Sequence, residues 1–206
     1  MRKQIALFGG SFDPITDAHL KVAAEIIHAQ KADEVWVTPC GPRKDKKLVA
    51  SPLQRFIMCN LAIDSTFGSH FPVQVYDVEI QENKAIPTYF LLQRLAKEFL
   101  NLEFLMVIGA DLLSEIRNSW HEGERLWQEA RFLVIPRPGF KKLDLPKNFT
   151  WLEASNLQLA HTQLSSSEIR KRLARDFSLV EGLVPPIVLA HIIRYNLYKQ
   201  VNSKML

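Results

Sequence analysis

A chain of 206 residues, 47% of them apolar, is long enough to bury one sizeable core and predicts a single domain over 1–206. Its formal charge of +4, without a basic tail, suits anionic small molecules and is only weak evidence for nucleic acid, so no nucleic-acid partner is expected. No apolar run approaches the roughly 20 residues of a membrane span. Cys40 and Cys59, in no metal or redox spacing, predict free thiols in a reducing compartment, and nothing at the amino terminus reads as a secretory leader, so a cytoplasmic protein is expected.

Taken in order, Ile5-Ala6-Leu7-Phe8 is apolar without alternation, predicting a strand covered on both faces in a parallel sheet. Gly9 and Gly10 release the chain and leave no side chain between the backbone and a phosphate. After the Asp13-Pro14 turn, Thr16 or Asp17 caps a helix over 17–30. His19 lies in its first turn, where free N–H groups and the helix dipole favour anions. Thr16 and His19 are three residues apart and share a face. Spacing excludes the GxGxxG dinucleotide fingerprint and the GxxxxGK[ST] P-loop, leaving a glycine loop with a histidine where a P-loop has lysine.

Residues 34–39 predict a second strand, and the cation-rich run Arg43-Lys44-Asp45-Lys46-Lys47 lies beyond its carboxyl end, where open α/β sheets place ligands. Ser51-Pro52 starts another helix, in which Arg55 reads as a structural brace. Alternation over 73–80 predicts a strand with one polar face, and Ile86-Pro87-Thr88-Tyr89 opens a helix that Thr88 can cap. Residues 103–111 repeat the strand, glycine turn and helix start, predicting a neighbour for the first strand, with Asp111 either a helix cap or a ribose acceptor. Trp120 is a large aromatic in a polar segment, suited to stacking on an electron-poor pyridinium ring. Residues 131–135 form a further strand before the turn Pro136-Arg137-Pro138-Gly139, and 150–153 return to strand character. Ser165 or Ser166 then caps a helix whose start, with Arg170 one turn along, can face a polyphosphate, and 184–198 read as a closing helix.

The run Gly9-Gly10-Ser11-Phe12-Asp13-Pro14 with Thr16-Asp17-Ala18-His19 resembles the GxFxPx(H/T)xGH signature of nucleotidylyltransferases, Ala18 standing in place of the usual glycine. Ile108-Gly109-Ala110-Asp111 with Trp120 resembles the IGxD…W pattern of the bacterial-type nicotinate-mononucleotide adenylyltransferase family. Arg137-Pro138-Gly139 is similar to its RPG turn, and Ser165-Ser166-Ser167 with Arg170 to its ISSTxxR motif, Ser167 replacing threonine. The likeness covers nearly the whole chain. It implies an α/β fold with a doubly wound parallel sheet, Rossmann-like, with a small carboxyl-terminal helical part. It also implies ATP and a pyridine mononucleotide as substrates, Mg2+ accompanying the ATP, and no metal held by the protein itself. By this resemblance His19, Thr16 and Arg170 are the catalytic set. Gly9, Gly10, Ser11, Phe12, Lys44, Ile108, Gly109, Asp111, Arg137, Ser165 and Ser166 bind ATP. Ser11, Phe12, Lys44, Thr88 and Trp120 meet the mononucleotide, with Arg43 the alternative to Lys44. Two other readings stay open: a phosphopantetheine adenylyltransferase, which needs neither Thr88 nor Trp120, and a nucleotide-binding regulator without turnover. The residues do not choose between nicotinate and nicotinamide, and a homo-oligomer is neither indicated nor excluded.

Overall fold

The computed structural model describes residues 2–43, 46–140, 143–153 and 165–199. The described strands are β1 (Lys3–Gly10), β2 (Glu34–Pro39), β3 (Val73–Val75), β4 (Leu102–Gly109), β5 (Phe132–Ile135) and β6 (Phe149–Trp151). They form one parallel sheet in the order β3-β2-β1-β4-β5-β6. The described helices are α1 (Asp17–His28), α2 (Pro52–Thr66), α3 (Val78–Gln81), α4 (Thr88–Glu98), α5 (Leu113–Ser119), α6 (Gly123–Glu129), α7 (Ser166–Leu173) and α8 (Pro186–Arg194).

The unalternating strands have the cause expected of them. Ala6, Val35, Val37, Leu105 and Val107 point into a core shared with Ala23 and Ile26 of α1, Met58 of α2 and Val188 and Ile192 of α8. Their neighbours Ile5, Leu7, Trp36, Met106 and Ile108 point the other way, onto Leu95 of α4, Ile116 of α5 and Leu126 of α6. Successive side chains therefore serve two cores, which removes any polar face.

Winding runs outward from β1 through β2 to β3, then returns to β4 on the other side of β1. A crevice results beyond the carboxyl ends of β1 and β4, the switch point at which sheets of this class bind ligands. Gly9 and Gly10 end β1 there, and Gly109 ends β4.

Four boundaries depart from expectation. β1 extends through Gly10, because Gly9 and Gly10 still pair with Thr38 and Pro39 of β2. The alternating stretch 73–80 is a strand only as far as Val75. From Val78 it is the one-turn α3, because the Glu79 carboxylate is drawn inward to the backbone N–H of Gly41, 2.8 Å away. Thr88 is the first residue of α4 and Pro87 occupies the cap position. Finally, α8 ends at Arg194, and the chain beyond it turns back towards the β1 loop.

Candidate active site

His19 is the third residue of α1, and its ring folds back over the start of the helix. The backbone N–H of Thr16 donates to His19 Nδ1 at 3.1 Å, and Thr16 Oγ1 lies 2.8 Å from the same nitrogen. A main-chain N–H can only donate, so Nδ1 is the unprotonated nitrogen and Nε2 carries the hydrogen. The ring is clamped by edge contact with Phe12, centroids 5.1 Å apart. His19 thus offers one oriented N–H donor at the mouth of the glycine loop. Burial first, and the positive charge of Arg137 second, hold its pKa at about 4, below the ordinary 6.5.

Between about 4 and 6.5 the unfolded chain binds a proton at this histidine and the folded chain does not, so its contribution to stability is complete above 6.5 and is lost as pH falls towards 4. His191 is depressed in the same direction by burial and then Arg194. His19→Gln is therefore expected to flatten part, not all, of the acid-induced loss of stability across that window, measured as the urea midpoint against pH.

Thr16 and Phe12 are placed differently from expectation. Thr16 has no exposed surface and Phe12 only 2%. The threonine hydroxyl is engaged by His19 and the phenyl ring packs on Phe8, His19 and Gly10, so neither side chain has a face to present to a ligand. Both act on His19. Gly9, Gly10 and Ser11 keep partly open surfaces at the end of β1.

The second element at this end of the sheet is α7. Ser165 is its cap, its hydroxyl accepting from Glu168 N at 3.2 Å, while Ser166 Oγ donates to the carbonyl of Pro14 at 2.8 Å. Arg170 donates through Nη1 to the carbonyl of Asp13 at 2.7 Å and through Nη2 to Ser167 Oγ at 3.0 Å. The start of α7, whose first N–H groups have no helical partner, is thereby docked on the Asp13-Pro14 turn just ahead of His19.

Asp13, which reads as a plain turn former in the sequence, is the joint of this assembly. Its side chain is fully buried. Oδ1 accepts from Ala50 N at 3.0 Å and from the Tyr198 hydroxyl at 2.8 Å, Oδ2 accepts from Val49 N at 2.9 Å, and Arg170 Nη1 lies 3.8 Å away. Burial first, and then the Asp13 charge, push the Tyr198 hydroxyl far up, so it stays a donor. Arg55 braces the same region, fully buried and donating to the carbonyls of Ser11 at 2.7 Å and Cys40 at 2.5 Å.

Beyond β4 the buried Ile108 leads to Gly109, half-exposed at the strand's end, and to Asp111 in a 3-10 turn. Asp111 does not cap α5, whose cap position is Leu112. Its carboxylate is exposed and pairs with Arg137 Nε at 3.4 Å. A Cβ on Gly109 would lie 2.2 Å from Asp111 Oδ1, so a larger residue there would push the Asp111 carboxylate aside from the strand end. On the flank, Phe90 of α4 lies 5.1 Å from the His121 ring, which brings the Thr88 turn to the segment of half-buried Trp120. Lys44 lies outside the described residues; Arg43 is exposed. Cys40 and Cys59 are free thiols. No helix among the described residues is long and apolar enough to cross a membrane.

A family model described as cytidylyltransferase-like matches residues 7–172. A probable nicotinate-nucleotide adenylyltransferase of Clostridium perfringens (strain 13) is 34% identical over 207 residues, 96% of this chain and 99% of the relative. One of Tropheryma whipplei (strain TW08/27) is 32% identical over 195 residues, 94% and 98% of the two chains. This chain belongs to the nicotinate-nucleotide adenylyltransferase family. The fold agrees with a family member of known structure: Plasmodium falciparum nicotinic acid mononucleotide adenylyltransferase complexed with NaAD superposes with a TM-score of 0.81 at 34% identity, covering 95% of this chain and 97% of that one. This nicotinate-nucleotide adenylyltransferase family member is accordingly a nucleotidyltransferase. Among the described residues no three His, Cys, Asp or Glu side chains converge as a metal cage, and Asp13 in the loop is already engaged by two backbone N–H groups and a tyrosine.

Proposed function

We propose that this protein joins ATP to nicotinate mononucleotide, forming the deamido dinucleotide and releasing pyrophosphate. The observation that supports the reading is the docking of α7 on the Asp13-Pro14 turn, which fixes Arg170 and a helix start on the turn that leads into the helix carrying His19. One donor then serves the α-phosphate and a second cluster serves the leaving group. An oxygen of the mononucleotide 5′-phosphate forms the new bond to the α-phosphorus, in line with the bridging oxygen to the β-phosphate, whose bond breaks and whose electrons leave with pyrophosphate. The attacking phosphate is ionised at neutral pH and calls for no general base. Catalysis rests on positioning and on charge stabilisation.

His19 is the catalytic donor in this reading, Arg170 and the α7 start hold the departing phosphates, and Thr16 is a positioning residue. Ser165 and Ser166 line that start, and the main chain of Gly9, Gly10, Ser11 and Phe12 lets the triphosphate approach. Asp111 accepts from the ribose, and Arg137, already paired with it, borders the adenine beside Ile108 and Gly109. Mg2+ enters with ATP and offsets phosphate charge, held by phosphate oxygens and water, as suits an ion that keeps its hydration. Thr88, Trp120 and Lys44 or Arg43 receive the mononucleotide. The uncapped start of α4 at Thr88 favours a carboxylate over a carboxamide on the pyridine ring. Both Plasmodium structures, complexed with NaAD and with APC, support nucleotide substrates of this kind.

The test is pyrophosphate release from ATP with magnesium, in parallel with nicotinate mononucleotide, nicotinamide mononucleotide and phosphopantetheine. The highest kcat/KM is expected with nicotinate mononucleotide. Trp120→Ala is expected to raise KM for that substrate about tenfold, the scale of one lost ring stack, and to leave KM for ATP unchanged. Release driven only by phosphopantetheine would return Trp120 to a packing role and remove the assignment.

A further inference from the structure

Glu79 has no part in the chemistry above, yet its carboxyl group is buried, only 7% exposed, on the one-turn helix α3. Oε2 accepts from Gly41 N at 2.8 Å, and the Ile86 amide faces the same carboxylate and favours its charged form. Those two amides belong to different segments. Gly41 opens the loop after β2 that leads to Arg43, and Ile86 stands two residues before Thr88. The segments touch so closely that a Cβ on Gly41 would lie 2.5 Å from the Lys84 carbonyl carbon and 2.8 Å from Ala85 N. Arg43 and Arg55 face the same carboxylate with positive charge, and Arg55 in turn ties Cys40 to Ser11. A chain of contacts thus runs from Ser11 of the glycine loop through Arg55 to Cys40, along the backbone to Gly41, and from Gly41 to Glu79 and the segment ahead of α4.

We infer that Glu79 is the positioning residue of the mononucleotide subsite, its carboxylate strapping the cationic loop after β2 to the turn that presents Thr88. The substrate-selective part rests on the function proposed above; the strap itself does not. Groups that meet the triphosphate stand on β1, α1 and α7, outside the strap. Loosening it therefore separates the phosphate-facing cations from the pyridine-facing turn and leaves the ATP side in place. Lost hydrogen bonds to a charged acceptor are of the size that weakens binding about tenfold or more.

The experiment is Glu79→Gln, with Gly41→Ala as an independent route to the same opening should the first variant fold poorly. Steady-state kinetics is expected to give a KM for nicotinate mononucleotide raised about tenfold, a kcat within about threefold and an unchanged KM for ATP. Hydrogen exchange is expected to speed up at the Gly41 and Ile86 amides and not in α1. A KM that rises equally for both substrates, or not at all, overturns the selective role. Unchanged exchange at the two amides overturns the strap whatever the kinetics. Should the wild-type protein turn over no pyridine mononucleotide, the proposed function fails, and the exchange measurement still decides the strap.

Discussion

His19→Ala is expected to lower kcat by about 100-fold or more with the fold retained, the scale for removing one preorganised donor from a developing anionic centre. The basis is the Nε2–H left to the ligand once the Thr16 backbone N–H has claimed Nδ1. His19→Gln, whose amide N–H reaches a similar distance, should recover part of the loss. Thr16→Val removes only the 2.8 Å hydroxyl contact and keeps the backbone donor, so a smaller defect of about tenfold is expected there. Single-turnover rates, with circular dichroism to check folding, decide the matter. A folded His19→Ala protein turning over at nearly the normal rate would falsify the donor assignment.

Asp13→Ala should have the largest effect on stability, a loss of about 3–5 kcal/mol, the range for breaking a buried charge network from one side. It strands the N–H groups of Val49 and Ala50 and the Tyr198 hydroxyl, and leaves Arg170 facing a void. Tyr198→Phe removes one donor and keeps the two amides, so about 1–2 kcal/mol is expected. Chemical denaturation compares the two. Turnover should fall in Tyr198→Phe even under conditions where it is fully folded, because Arg170 shares the acceptor that the hydroxyl steadies. Equal stability of wild type and Asp13→Ala would show that the joint carries no weight.

What the amino-acid sequence made legible was whatever a local pattern can encode. Continuous apolar runs marked β1 and β4 because both of their faces are covered, and the glycines marked the ends at which a crevice opens. The 73–80 stretch misled because its alternation has the period of a strand, whereas a single inward carboxylate 38 residues from its partner decides where that strand stops. Asp13 next to Pro14 looks like an ordinary turn pair, and no spacing rule announces that its acceptors are taken by residues 36, 37 and 185 positions away. Thr16 shared a face with His19 as its spacing implied, but spacing did not announce that its side chain would be buried with the hydroxyl 2.8 Å from His19 Nδ1. Local patterns reached the candidate site, and the long-range contacts that hold it together lay outside them.

The joint at Asp13 also orders events in time. Its contacts with Arg170 and Tyr198 span 157 and 185 residues, among the widest closures the chain makes. Such closures carry their entropic cost before they give any return, and they wait for distant segments to exist. A nascent chain leaving the ribosome carries β1, α1 and His19 long before α7 is synthesised. The joint is therefore complete only when the far end of the chain closes on its beginning.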